Sequence, residues 1–206
     1  MTIKVAIINY GIGNIRSLYN SLKRIEVEAE IITDPDTIDQ FDKVFLPGVG
    51  SYKDAIKKIK YIGWDKAIKN FSSNQNKSLF GICVGMQILS TCGYEYGKSN
   101  GLNIIKGEVL RMNKHGCDLK LPHIGWNNIK IINQNLITEN LNNEANFYFV
   151  NSYSLRIVNS NELIATTSYG IEFPSIINKQ NVFGTQFHPE KSSKAGMQIL
   201  KNFLNA

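Results

Sequence analysis

The sequence predicts an α/β fold: an open, mostly parallel sheet flanked by helices, with antiparallel additions in its second half. Three observations lead there. In the first half, short continuous apolar runs alternate with segments of helical period. Each run ends in a turn rich in glycine or proline. In the second half, strand-like segments follow one another with little helix between them.

The elements follow in order. Ile3 to Ile8 is apolar throughout, as a strand buried on both faces must be. After the turn Asn9-Tyr10-Gly11-Ile12-Gly13-Asn14, the apolar residues Ile15, Leu18, Leu22 and Ile25 recur at helical spacing. Glu28 to Thr33 reads as a second strand and Lys43 to Leu46 as a third, broken by Pro47-Gly48-Val49-Gly50. Helical segments fill Tyr52 to Ser72, Ser78 to Ile82 is a fourth strand, and Val84 to Cys92 reads as helix. Strands are then expected at Ile104–Met112, Asn128–Ile132, Phe147–Val150, Leu163–Thr167, Ile171–Ile177 and Val182–Phe187. A helix over Lys194–Leu204 completes the pattern. The asparagines Asn133, Asn135, Asn140, Asn142 and Asn143 are too dispersed to form a low-complexity tract.

The composition, 43% hydrophobic and 19% charged over 206 residues, is that of an ordinary globular chain, and residues 1–206 are expected to form one domain. The net charge of +6 is spread over lysines such as Lys53, Lys57, Lys66 and Lys69, among acidic and apolar residues. It lacks the basic run interleaved with aromatics that nucleic-acid binders carry, so no nucleic acid is expected. No apolar stretch approaches the roughly 20 residues that cross a bilayer, and the start lacks the pattern of a signal peptide. Three cysteines without paired spacing argue against a disulfide framework. Together these point to a cytoplasmic protein, without membrane attachment, whose thiols stay reduced.

Gly81-Ile82-Cys83-Val84-Gly85 carries the chemistry. A nucleophile between two glycines, after a strand and before a helix, is the pattern of a sharp turn that holds the side chain above the sheet. Backbone N–H groups at the start of the helix would favour the thiolate. Cys92 would continue the apolar face of that helix as a core residue, and Cys117 is expected in a turn; neither forms metal-ligand spacing with His115 or His123, so no metal is expected. A thiol nucleophile needs a proton carrier, and the carrier needs an orienting acceptor. His188 and Glu190 in Phe187-His188-Pro189-Glu190 supply both at the end of a strand, where open α/β sheets place their sites. The two glycines of Pro47-Gly48-Val49-Gly50-Ser51 let backbone N–H groups turn toward a developing oxyanion, and the N–H of Val84 is the natural second donor. Gly11-Ile12-Gly13 resembles the start of a dinucleotide fingerprint, but Arg16 replaces its third glycine, so no nicotinamide cofactor is expected.

With these residues assembled, the chain resembles the class I glutamine amidotransferases, through Gly81–Gln87 and Phe187–Glu190. Within that class it is similar to the glutaminase subunits of imidazole glycerol phosphate synthase. The motifs Asn9–Asn14, Leu46–Gly50, Pro122–Asn127, Phe149–Tyr153 and Gly184–Ser192 carry this second likeness. The resemblance implies that Cys83 attacks the carboxamide of L-glutamine, with His188 moving protons and Glu190 orienting it. It implies an oxyanion hole from Val49, Gly50 and Val84, completed by rearrangement of the Pro47–Gly50 strand. Ser51, Gln87, Ser152 and Tyr153 would hold the amino-acid end of the substrate. Asn14, Trp126 and Lys191 would face the partner, a (βα)₈-barrel cyclase that receives ammonia through its interior in a heterodimer. No cofactor is implied. The family usually has histidine where this chain has Asn151. A divergent copy feeding another acceptor, such as a sugar amidation, and a stand-alone thiol hydrolase are the alternative readings.

Overall fold

The computed structural model describes residues 3–141 and 145–206; Met1 and Thr2, and Asn142 and Asn143 of the dispersed asparagines, lie outside the described residues. Its main sheet has eight strands. In chain order these are β1 (Val5–Ile8), β2 (Ala29–Ile32), β3 (Lys43–Gly48), β4 (Ser78–Cys83), β9 (Lys130–Ile131), β12 (Leu163–Tyr169), β13 (Ile171–Lys179) and β14 (Val182–Thr185). They lie in the order β2-β1-β3-β4-β14-β13-β12-β9. The half from β2 to β14 is parallel, and the half from β14 to β9 is antiparallel. Helices α1 (Ile15–Arg24), α2 (Tyr52–Ile62), α3 (Trp64–Ser73) and α5 (Ser193–Asn205) flank it. The fold class read from the sequence is therefore the one observed.

The alternation of the first half explains the parallel half. Val5–Ile8 and Lys43–Gly48 are buried at every position, as central parallel strands require. Side chains from the sheet and helices form one continuous core, in which Phe45, Phe80 and Phe203 meet edge to face or tilted at centroid distances of 4.9–5.7 Å. Parallel pairing sets Gly48 beside Cys83 and Thr185 beside Ile82, so the ends of β3, β4 and β14 share one edge.

Two smaller sheets stand beside the main one. One pairs β8 (His123–Asn128) with β10 (Asn146–Asn151); the other contains β5 (Cys92–Gly93), β6 (Ser99–Asn100), β7 (Gly107–Arg111) and β11 (Tyr153–Ile157). β8 and β11 were not expected. β8 alternates only weakly because its outward residues Ile124 and Trp126 are exposed apolar side chains.

One expected region is sharpened and two expected elements differ. The helical segments expected over Tyr52–Ser72 are two helices, parted where Gly63 takes φ +96° and closes the first with a left-handed cap. The helix expected over Val84–Cys92 is a single turn, α4 (Val84–Gln87). The carbonyls of Ile88 to Thr91 bond to Gly101–Ile105 instead of continuing a helix, and Cys92 is a buried residue of β5, not of a helix face. The strand expected over Asn128–Ile132 shrinks to the two residues of β9.

Asn181, in the turn between β13 and β14, ties this frame together. Its Nδ2 lies 3.1, 3.0 and 2.7 Å from the carbonyl oxygens of Ser72, Asn74 and Lys77, and Leu79 N donates to its carbonyl. An amide nitrogen has two hydrogens, so two of the three carbonyls are satisfied at a time. Asn181→Ala is expected to lower unfolding free energy by about 2–3 kcal/mol, with the slope against urea unchanged. Because Asn181 precedes β14 while the site follows it, the kcat of the folded fraction should stay at the wild-type value.

Candidate active site

Cys83 ends β4 with φ 54° and ψ −112°, a conformation that costs a non-glycine residue energy and persists only where the surroundings impose it. The surroundings are visible. A Cβ on Gly85 would stand 1.8 Å from the Leu46 carbonyl oxygen, and one on Gly81 would stand 2.8 Å from Met86 N. Both glycines are required because the turn presses against β3 and against itself. The expected elbow is thus present. Its following helix is only four residues long, so a helix dipole contributes little to the sulfur's charge state.

The sulfur's electrostatic partner is His188. Its Nδ1 lies 2.9 Å from Glu190 Oε1, and both side chains are almost wholly buried. Asn14 Nδ2 donates to the same oxygen at 3.3 Å. The backbone is held as firmly: His188 N donates to Tyr148 O, and Ser192 Oγ donates to His188 O at 2.6 Å while accepting from Tyr148 N. His188 Nε2 has no partner in hydrogen-bond geometry and is left for the Cys83 sulfur. Burial alone would lower the imidazole's pKa; the charge and contact of Cys83, and then the bond to Glu190, outweigh it and push the value up to about 10. The arrangement sets the Cys83 sulfur beside an imidazole whose charged form is favoured and whose Nδ1 is held by a carboxylate.

Cys83 opens into a cavity of about 230 Å³, lined also by Gly50, Val84, Gln87, Ser152 and Tyr153. That size suits an amino acid. Larger hollows exist, one of about 780 Å³ among Asp42, Lys43 and Asn181, but it holds no cysteine or histidine and lies at the opposite edge of the sheet. Gln87 Nε2 donates to Tyr153 O at 3.0 Å and to Gln186 Oε1 at 2.9 Å. Ser51 caps α2, accepting from Asp54 N and donating to Asp54 Oδ2, so its hydroxyl is committed and only its backbone is free for a ligand. Val49 is half-buried and does not line the cavity, whereas Gly50 does.

Two residues escaped the sequence reading. Gln186 is fully buried and places Nε2 3.7 Å from Cys83 Sγ. It lay inside the quoted Gly184–Ser192 motif, which was its only signal. Glu95 lines the cavity and accepts from Tyr52 N at 2.8 Å, and burial raises its pKa. A lone glutamate in a Gly-Tyr-Glu-Tyr-Gly segment gives no sequence signal at all.

The residues expected to face a partner divide. Trp126 is half-exposed on β8, at 6.1 Å from the Tyr148 ring, over which Lys191 Nζ sits at 5.5 Å. Asn14 instead reaches inward to Glu190. Among the described residues no group of three His, Cys, Asp or Glu side chains is placed to hold a metal, and no helix is long and apolar enough to cross a membrane. Lys58 Nζ donates to Gly11 O, which occupies the turn that resembled a dinucleotide fingerprint.

A nucleophile elbow with a histidine–glutamate pair at the strand ends of such a sheet defines a thiol-dependent amide-hydrolysing class. The sequence model of "Glutamine amidotransferase class-I" matches residues 6–206, and the chain belongs to that family. It is 40% identical to the imidazole glycerol phosphate synthase subunit HisH of Pelagibacter ubique, over 98% of this chain and 99% of that one. It is 43% identical to the HisH of Caldanaerobacter subterraneus, over 97% and 96%, and 39% identical to that of Bacillus subtilis, over 97% and 94%. A crystal structure of a glutamine amidotransferase shares the fold at a TM-score of 0.76 and 19% identity, covering 98% of this chain and 97% of that one. The PurLQS structure from Thermotoga maritima matches at 0.72 and 19%, covering 100% and 99%. The chain is a glutamine-hydrolysing enzyme of this family.

The charge state of the pair is measurable. The folded pKa of His188 lies above its unfolded value of about 6.5, so the imidazolium contributes its stability in full below that pH and loses it as pH rises toward about 10. Imidazole NMR shifts of His188 should remain those of the charged ring at pH 8 in the wild type. In Cys83→Ala the midpoint should fall by about a unit or more, and stability should decline less between those pH values. A wild-type midpoint near 6.5 would exclude the ion pair.

Proposed function

We propose that this chain is the glutaminase subunit of imidazole glycerol phosphate synthase: it hydrolyses L-glutamine to L-glutamate and ammonia and passes the ammonia to a (βα)₈-barrel cyclase. The observation that carries the hydrolytic part is the convergence of a strained Cys83 with the buried His188–Glu190 pair on one amino-acid-sized cavity. The acceptor is assigned from relatives bearing that synthase's name at about 40% identity over nearly their whole length.

The chemistry follows from the charges. The Cys83 thiolate attacks the side-chain carboxamide, and the oxygen charge that develops is met by the N–H of Val84 and by backbone of Val49–Gly50. His188 already carries a proton, so it acts first as an acid: the C–N bond breaks and the nitrogen leaves as ammonia. Neutral His188 then takes a proton from water, whose oxygen attacks the thioester and releases glutamate. Glu190 holds Nδ1 throughout, so Nε2 faces the reaction. No step calls for a cofactor.

The other end of glutamine carries an ammonium and a carboxylate. Glu95 supplies the matching carboxylate in the cavity, and Gln87, held by Tyr153 O and Gln186, shapes the wall beside it. Asn151 donates to Tyr153 O at 3.1 Å, so it supports the same backbone and suits glutaminase chemistry. Exposed Trp126 and Lys191, with Tyr148 between them, offer a face for the cyclase in a heterodimer. We read the chain as one cytoplasmic domain.

With a purified cyclase and its acceptor present, Cys83→Ala should lose glutamine-dependent product formation while ammonia-dependent formation continues. Retained glutaminase activity would refute the role of Cys83, and a cyclase that gains nothing from this protein and glutamine would refute the acceptor. Glu95→Gln should raise KM for glutamine about tenfold and leave kcat near the wild-type value. An unchanged KM would remove Glu95 from substrate binding.

A further inference from the structure

The Tyr10 phenol has no role in the chemistry above, yet it sits at its centre. Tyr10 follows β1 and is 2% exposed, and its hydroxyl has no hydrogen-bond partner. A Cβ built on Gly48 would stand 2.9 Å from that hydroxyl, 2.6 Å from Gly85 N and 3.0 Å from the Val84 carbonyl carbon. The hydroxyl therefore lies in the crevice between the end of β3 and the nucleophile elbow. Burial, and then the charge of Cys83, raise its pKa, so it is a proton donor at any working pH. A buried donor without a protein partner is costly and calls for a specific acceptor.

We propose that Tyr10 is a positioning residue that latches the oxyanion strand, its hydroxyl donating to the Gly48 carbonyl when the Gly48–Val49 peptide turns toward it. The two polar groups of a peptide point in opposite directions. A carbonyl turned to the buried hydroxyl leaves the Val49 N–H directed to the open side of the loop, where Gly50 and Cys83 line the cavity. One rotation thus satisfies the orphan hydroxyl and supplies a second oxyanion donor beside Val84. The loop permits it: Gly48 has no side chain to carry through the crevice, and Gly50, at φ +82°, has nothing within 4 Å of where a Cβ would be. In the arrangement described here the Gly48 carbonyl does not meet the hydroxyl, so the latch is open. This inference rests on the reading of Cys83 as the nucleophile toward glutamine.

Tyr10→Phe removes the hydroxyl and keeps the ring. Assayed with cyclase and acceptor present, it should lower kcat for glutamine hydrolysis roughly tenfold, the worth of one buried hydrogen bond, and change KM by less than about twofold. Alkylation of Cys83 by iodoacetamide is displacement at a saturated carbon and forms no oxyanion, so its rate and pH profile should stay at wild-type values. The unfolding midpoint should be unchanged or higher, since an unpaired polar atom is gone. Wild-type kcat in Tyr10→Phe overturns the latch. So does a shifted alkylation profile, which would place the hydroxyl's action on the sulfur, or a lowered midpoint, which would make it structural. If the wild-type protein itself hydrolyses no glutamine under these conditions, the reading of Cys83 fails instead.

Discussion

The chemistry of this protein depends on how closely the end of β3 approaches the turn after β4. Gly85 lies against the Leu46 carbonyl, and Gly48 lies against the Val84–Gly85 peptide, at separations that leave no room for a side chain. That approach forces Cys83 into its strained backbone and sets the Pro47–Gly50 segment beside the sulfur. Parallel pairing of β14 on β4 then brings His188 to the same edge. A slip of one residue in either pairing would send alternate side chains to the other face and separate the three groups. The core beneath, in which every position of β1 and β3 is buried, is what holds the register.

Electrostatics builds on this frame. A buried imidazole left to burial alone becomes hard to protonate, and His123 shows it: stacked between Phe149 and Tyr169, with no carboxylate beside it, its pKa falls to about 4. His188 is as deeply buried and shifts the other way, because the sulfur and Glu190 both favour its charge. The difference lies in the neighbours, not in the residue or its depth. Asn14, Ser21 and Ser192 add bonds that hold the glutamate and the histidine backbone in place. The neighbours thus favour the charged form of His188 despite its burial.

Much of this was legible in the chain. The Gly81–Gly85 spacing revealed the elbow, because only glycine fits where backbones touch, and Phe187–Glu190 revealed the paired histidine and glutamate, because Pro189 fixes its local geometry. Other features were not legible. The Val84–Cys92 segment is apolar at helical spacing, but its carbonyls find acceptor-seeking N–H groups in Gly101–Ile105, a long-range choice that periodicity does not encode. β8 escaped notice because its outward residues are apolar for a surface reason. Gln186 and Glu95 reach the site through contacts with residues distant in the chain, Cys83 and Tyr52 respectively.

The sequence by itself determined the α/β class and singled out Cys83 and the His188–Glu190 pair as candidates, since local patterns of period, glycine and proline encode strands, turns and short fixed spacings. Tertiary structure alone decided what surrounds them: the cavity shared with Glu95, the inward reach of Asn14, and the unpaired Tyr10 hydroxyl in the crevice under Gly48. Those depend on packing between elements far apart in the chain, where burial and the absence of water set the strength of every polar contact.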